Sequence, residues 1–304
     1  MTQSRFLGVD IGGTNTKCAV VTTDADGAIR TSDLGSTLTA VEGGPEGIRA
    51  AVIDLVTRHM QDAGPIAAVG ITIPGTIDAE AGTTGVLPNI AGNWDGFSMG
   101  KPVADAVGLP VSLINDARAF CLAEATVGAA RGLSTVVGMA LGTGIGGGVI
   151  VNGKLHRGAT GMAGEIGHQT VDPSPDAPVC GCGNPGCLEA VARSSELCRR
   201  AGRPDVPAVF AAVAAGDPAA IAALEVEIYY LAIGMANAYM LLCPDAFVIG
   251  GGIAQAGEAL RQPLLAEVRR RMTLDRPEAI NIRFGELGPI AGAVGAALWA
   301  RSRA

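Results

Sequence analysis

The chain opens on an apolar run, "RFLGVDIGG", that ends in two glycines, the pattern of a buried strand closing in a tight turn. "KCAVVTTDADGAIR" follows as a second strand, and its "DADG" marks a turn before a third, so the chain begins as an antiparallel meander. The spacing then becomes helical. In "GPEGIRAAVIDLVTRHMQDAG", Ile48, Ala51, Val52, Leu55 and Val56 fall on one face, with Gly64 and Pro65 beyond the end. "IAAVGITIPG" predicts a buried strand closed by Pro74-Gly75, and "PVSLINDARAFCLAEATVGAARG" predicts a strand that turns into a helix near Asn115-Asp116.

"STVVGMALGTGIGGGVIVNGKL" then repeats the opening design of strand, Gly-Thr-rich turn and strand. The repeat predicts two lobes of similar core topology. Beyond it the pattern is helical, with "PAAIAALEVEIYYLAIGMANAYMLLC" as a long apolar-periodic segment. The strand "AFVIGGGIA" and a closing helix, "AGAVGAALWARS", follow. The expected division is a smaller lobe over 1–117 that regains the last helix, about 290–304, and a larger lobe over 118–289. The larger lobe is expected to carry the cysteine-rich loop, nucleotide-binding turns and an oligomerisation surface.

Composition narrows the class. A chain of 304 residues with 48% hydrophobic and 17% charged residues folds as a globular protein and has room for two domains. Aromatics are only 4%, so Ala and Gly must carry close packing. A net charge of −7 disfavours a nucleic-acid or anionic-membrane partner, and Arg269-Arg270-Arg271 reads as the solvated face of a helix. No signal-peptide pattern opens the chain, and no apolar run of the roughly 18–20 residues needed to span a bilayer is expected. Cys18, Cys121, Cys198 and Cys243 are scattered, which fits small core residues and a reducing cytoplasm rather than a disulfide framework.

The other three cysteines are not scattered. "HQTVDPSPDAPVCGCGNPGC" holds His168, Cys180, Cys182 and Cys187 in the pattern H-x11-C-x-C-x4-C. Three thiolates and an imidazole suit tetrahedral Zn²⁺, and four protein ligands leave no open position, so the ion would be structural. A hydrolytic zinc site, a nucleic-acid zinc knuckle and four unliganded core residues are the alternatives; the acidic balance opposes the knuckle.

Three glycine turns follow predicted strands: "DIGGTNTK" (10–17), "LGTGIGGG" (141–148) and "IGGGIAQAG" (249–257). Glycine lets the backbone approach a phosphate, and successive N–H groups form an anion nest. Thr14, Asn15, Thr16 and Thr143 add side-chain donors, and Lys17 either adds a charge or solvates a strand edge. One such turn is weak evidence, but three in this order, with the acidic Asp10 in the first, point to phosphate. They match neither the P-loop nor the dinucleotide fingerprint.

Together these motifs resemble the two-lobed kinases of the actin-like ATPase superfamily, and within it the ROK family of sugar kinases and repressors. The diagnostic segment is "GTGIGGGVIVNGKLHRGATGMAGEIGHQTV…CGCGNPGCLE", and the resemblance runs from Asp10 into the 290s. It implies an α/β, two-lobed actin-like ATPase (ribonuclease H-like) fold, each lobe a mixed sheet with flanking helices and a cleft between the lobes. It implies ATP bound through Asp10, Gly12, Gly13, Thr14, Asn15 and Lys17, through Gly142, Thr143 and Gly144, and through an adenosine loop at Gly250, Gly251 and Gly252. Asp10 would orient Mg²⁺ through water.

Asn115 and Asp116 lie where a helix cap is expected on residue type alone. The resemblance instead implies a catalytic dyad, with Asp116 as general base and Asn115 holding a sugar hydroxyl. By the same resemblance Glu165, His168 and Glu189 contact the sugar, with His168 ligating zinc as well, and Gly75, Thr76 and Asn89 contact it from the first lobe. The expected reaction is ATP-dependent phosphorylation of a hexose, with the 6-hydroxyl of glucose first. N-acetylmannosamine, N-acetylglucosamine, an aminoglucose, a cyclitol, or polyphosphate as donor stay open. The rivals are a non-catalytic sugar-binding protein and a sugar-sensing repressor. The repressors of this family carry a winged-helix domain before the first phosphate loop, for which no room is expected ahead of Asp10. A homodimer or homotetramer is expected.

Overall fold

The computed structural model describes residues 3–87, 90–274 and 276–304. It divides into two compact units, Met1–Val127 with Leu287–Ala304, and Gly128–Glu286. The first boundary comes after the helix Asp116–Thr126 rather than near residue 117, and the second comes at Leu287.

The first unit runs β1 (Ser4–Ile11), β2 (Asn15–Thr23), β3 (Ile29–Leu38), α1 (Gly44–Ala63), β4 (Ala68–Ile73), β5 (Ile77–Asp78), β6 (Thr83–Thr84), α2 (Gly100–Val107), β7 (Val111–Asn115) and α3 (Asp116–Thr126). Its main sheet has the order β3-β2-β1-β4-β7. β1, β2 and β3 are the expected antiparallel meander, whereas β4 and β7 join β1 in parallel. All six residues of β4 are buried, as a strand covered on both faces requires.

The second unit runs β8 (Val136–Leu141), β9 (Ile145–Val151), β10 (Lys154–Leu155), α4 (Leu188–Ala192), α5 (Ser194–Ala201), α6 (Val206–Ala214), α7 (Pro218–Leu242), β11 (Ala246–Gly250), α8 (Glu258–Arg271) and β12 (Ile282–Phe284). Its sheet order, β10-β9-β8-β11-β12, reproduces the first: β8, β9 and β10 are antiparallel, and β11 and β12 join β8 in parallel. The repeated motif is thus a repeated sheet. The chain ends in α9 (Ala291–Arg303), which belongs to the first unit.

Strand alternation sorts the first sheet's two faces. Leu7, Val9, Val69 and Ile71 point into a core shared with Ile48, Val52, Leu55 and Val56 of α1. The intervening Gly8 and Gly70, opposite each other in register, give the other face a smooth patch on which α9 lies. A Cβ at Gly8 would come 1.8 Å from the carbonyl oxygen of Ala293, and one at Gly70 would come 1.8 Å from that of Ala296. At Gly295 a Cβ would come 1.9 Å from the Ala119 oxygen, so α3 closes on α9 in the same way. Small residues therefore set the helix-to-sheet distance, as the low aromatic content requires. Gly70→Ala is expected to cost about 3 kcal/mol by overpacking, read as a fall in the urea midpoint at constant m. An unchanged midpoint would show that α9 can lift without penalty.

α7 is long and apolar enough to cross a membrane by length and composition, with mean hydropathy 1.6 over its most apolar window. Its apolar spacing is interrupted by polar residues, so it does not read as one run. In the fold, 56% of that window is buried, and the helix packs on α4, α5, α6 and α8. The basic run lies in the last turn of α8, where only Arg270 is exposed and Arg269 and Arg271 are partly buried; Arg270 and Arg271 pair with Glu267 at 2.7 Å.

Candidate active site and metal cluster

Register gathers the first unit's chemistry at one edge. Asp10 lies opposite Thr72, and Ile73 opposite Asn115, so β1, β4 and β7 end together. Asp10, the Gly75–Thr76 turn and the Asn115–Asp116 junction lie along that carboxyl edge, where open parallel sheets bind ligands. Thr72, fully buried, donates its hydroxyl to Asp10 Oδ1. Lys17 sits opposite Asp10 on β2 and therefore on the same face. Burial pushes the Asp10 carboxyl up from its ordinary value, while the Thr72 hydrogen bond and then Lys17 oppose the shift. α9 begins beside this carboxylate: a Cβ at Gly292 would lie 2.6 Å from Asp10 Oδ2. The helix's positive end thus faces an acid.

The first turn is built as an exposed tip. Gly12 N donates to Asn15 O at 3.0 Å, and Thr39 Oγ1 donates to Gly12 O at 2.7 Å. Gly13, Thr14 and Asn15 are exposed beyond that brace. Thr39 itself is buried against Thr16 Oγ1 at 3.0 Å.

Asn115 is buried and caps α3: its Oδ1 accepts from Arg118 N at 3.2 Å, and its Nδ2 donates to Gly75 O at 3.0 Å. The capping reading of this residue is therefore realised, and one amide proton is left over from these bonds. Asp116, the first residue of α3, is half-buried, and its Oδ1 accepts from Ala117 N at 2.8 Å. Gly75 has φ +99°, a backbone conformation that favours glycine. Thr76 is engaged within its own loop, its Oγ1 accepting from Val86 N at 2.9 Å. Asn89 lies outside the described residues. Further along the same loop Trp94 is core, with its indole N–H donating to Ile90 O at 3.1 Å.

In the second unit, β8 and β11 are parallel neighbours whose ends carry the other two turns. Gly250 lies opposite Ala140, and a Cβ at Gly251 (φ +87°) would come 2.2 Å from the Leu141 oxygen. The turn at Gly142, Thr143 and Gly144 and the turn at Gly250, Gly251 and Gly252 are therefore adjacent. Gly142 N donates to Gly144 O at 2.9 Å, and Thr143 is exposed at the tip.

The cysteine-rich loop closes on itself. The ligand atoms of His168, Cys180, Cys182 and Cys187 all lie within 4.8 Å of one another. Cys180 Sγ is 3.6 Å from His168 Nδ1, and Cys182 Sγ is 3.7 Å from Cys187 Sγ. A tetrahedral zinc, with bonds of about 2.3 Å to sulfur and 2.0 Å to nitrogen, sets such edges at about 3.5–3.8 Å. The donor set and its spacing fit that ion. Asn184 Nδ2 donates to Cys187 Sγ at 3.5 Å, the kind of outer bond that steadies a thiolate ligand. Because Nδ1 of His168 faces the cluster, its Nε2 is free to face Glu165, whose Oε2 is 4.0 Å away. Glu189 follows Cys187 on α4. Its Oε2 accepts from Ile145 N at 2.8 Å, beside the second glycine turn.

Thr39, Thr72 and Gly292 escaped the sequence reading. Thr72 and Gly292 come to Asp10 only through strand register and the return of the last helix. Asn184 lay in plain view between two ligands, and its amide was the available signal.

A two-lobed α/β fold with paired mixed sheets, three glycine turns and an Asn-Asp pair at a strand-to-helix junction defines the class. It is a phosphotransferase of the sugar-kinase type on the actin-like ATPase fold. The model of the ROK family matches residues 6–303, and the chain belongs to that family. Glucokinase of Thermotoga maritima is 36% identical over 88% of this chain and 88% of its own. The crystal structure of the ROK hexokinase from Thermus thermophilus superposes with a TM-score of 0.87 at 36% identity, covering 98% of each chain. That of the ROK glucokinase from Streptomyces griseus, in complex with glucose and AMPPNP, has a TM-score of 0.79 at 32% identity, covering 98% of this chain and 100% of its own.

Proposed function

We propose that this protein transfers the γ-phosphate of ATP to a hexose, and specifically to the 6-hydroxyl of glucose, with Asp116 as general base. The observation that carries the reading is the placement of Asp116 in the first turn of α3, at the same carboxyl edge of the sheet as Asp10 and beside Asn115. Phosphoryl transfer asks a protein chiefly for positioning and charge neutralisation, plus a group to take the proton of the attacking hydroxyl. Asp116 is assigned that proton. Asn115, whose carbonyl oxygen is engaged in the helix cap, offers an amide proton to a neighbouring hydroxyl.

The glycine turns offer backbone N–H groups to the phosphates, and Asp10, with Lys17 and Thr72 beside it, would hold Mg²⁺ through its water. That ion would neutralise charge on the triphosphate. In the second unit, Glu165 and His168 Nε2 are assigned to sugar hydroxyls, with Glu189 beside them. His168 Nδ1 and the three thiolates would hold a structural Zn²⁺, which keeps that wall in shape. The similarity to glucokinases in both sequence and structure supports glucose as first choice.

The test is a coupled ADP-release assay with ATP and Mg²⁺ across glucose, N-acetylmannosamine, N-acetylglucosamine, an aminoglucose and a cyclitol. Glucose is expected to give the highest kcat/KM. Turnover on another sugar alone moves the substrate assignment. No stimulation by any of them, from a folded protein with or without polyphosphate as donor, overturns the glucose assignment and leaves a sugar outside this panel or a sugar-binding protein.

A further inference from the structure

The segment that joins the metal cluster to the second glycine turn is short and bonded at both ends. Cys187, fully buried, is the N-cap of α4. Glu189 lies in the first turn of that helix, with Oε1 3.7 Å from Cys180 Sγ and Oε2 accepting from Ile145 N at 2.8 Å. At Gly144 a Cβ would come 2.5 Å from Glu189 Oε2, so the carboxylate lies close against the turn. Ser194, at the start of α5, donates its backbone N–H to Gly142 O at 2.9 Å. Arg200 Nη2 donates to Val191 O at 2.6 Å and fixes α4 from the side. Thus the stretch from Cys187 to Ser194 grips both sides of the 142–144 turn, and its first residue is a cluster ligand.

We propose that Glu189 is a positioning residue that couples metal occupancy of the His168–Cys180–Cys182–Cys187 cluster to nucleotide binding at the 142–144 turn. The inference rests on the assignment of that turn to the nucleotide phosphates. The cluster holds Cys187, Cys187 starts α4, and α4 aims Glu189. A carboxylate that accepts from Ile145 N fixes where the neighbouring turn N–H groups point. Loss of the metal frees the start of α4, and the turn loses the grip that shapes it. Each carboxylate oxygen accepts more than one bond, so a sugar hydroxyl on Glu189 is compatible with this role. Linkage makes the effect reciprocal: nucleotide must tighten metal binding by the factor by which metal tightens nucleotide binding.

The experiment is calorimetric binding of AMP-PNP with Mg²⁺ to the full chain, zinc-loaded and chelator-stripped, for wild type and Glu189→Ala. Stripped wild type is expected to bind about tenfold more weakly, within the roughly 5- to 150-fold range of such couplings. Glu189→Ala, which removes the acceptor of the Ile145 N–H, is expected to bind weakly with or without zinc, a loss of metal dependence that a merely structural glutamate would not give. Equal affinity of stripped and loaded wild type overturns the coupling. If stripping unfolds the protein, competition for Zn²⁺ with a chromophoric chelator decides. A tenfold tighter hold with AMP-PNP supports the coupling, and no change overturns it. Failure of zinc-loaded wild type to bind AMP-PNP at all would instead strike the nucleotide assignment, and the coupling with it.

Discussion

Asp116→Asn is expected to lower kcat for sugar phosphorylation by about 10²–10⁴-fold, the usual contribution of a positioned general base, with little change in KM for either substrate. Asparagine keeps the side-chain oxygen that accepts from Ala117 N, so the start of α3 is retained and thermal stability should stay within a degree or two of wild type. What it removes is the ability to take a proton. A parallel fall in kcat and kcat/KM identifies a group that acts only in the transition state. Retained turnover would place the base elsewhere. The obvious neighbour, Asn115, cannot serve, because an amide carries no basic lone pair of the needed strength and its oxygen already caps the helix.

Glycine and cysteine made much of this protein legible, because their reasons are local. A strand that ends in "DIGG" or "ALGTG" predicts a tight turn from composition alone, and the sheets place all three turns at strand ends. His168, Cys180, Cys182 and Cys187 could be paired by spacing because a metal asks for ligand type and count. The repeat of strand, turn and strand predicted two similar cores, and the two sheets share one strand order.

Other features depend on register and on segments distant in sequence. Thr72 reaches Asp10 only because β4 runs parallel to β1, and nothing in "ITI" marks the central threonine as a partner. Gly292 lies far along the chain from the carboxylate it abuts. The bond from Glu189 to Ile145 N required knowing how α4 folds back on β9. Thr76 accepts from Val86 N within its own loop, a bond that its residue type does not announce, and its hydroxyl keeps a proton to donate. The boundary between units moved past α3 because that helix packs on α9, which sequence periodicity does not reveal.

His168→Cys separates the two duties assigned to one imidazole. Four thiolates remain a complete structural zinc set, so zinc content and the melting temperature should hold near wild type. The Nε2 edge, which faces Glu165 while Nδ1 faces the cluster, disappears with the ring. If that edge bonds a sugar hydroxyl, its loss removes a hydrogen bond between a polarised donor and substrate, worth about 1.5–3 kcal/mol when one partner is charged. The expected result is a rise in sugar KM of about 10- to 150-fold with ATP KM changed far less. An unchanged sugar KM with zinc retained would make His168 a metal ligand alone. Loss of zinc together with loss of sugar binding would show that the imidazole's geometry is required for the cluster itself. Cysteine at 168 must reach the ion from a shorter side chain, so metal content is measured on the same sample before any kinetic constant is read.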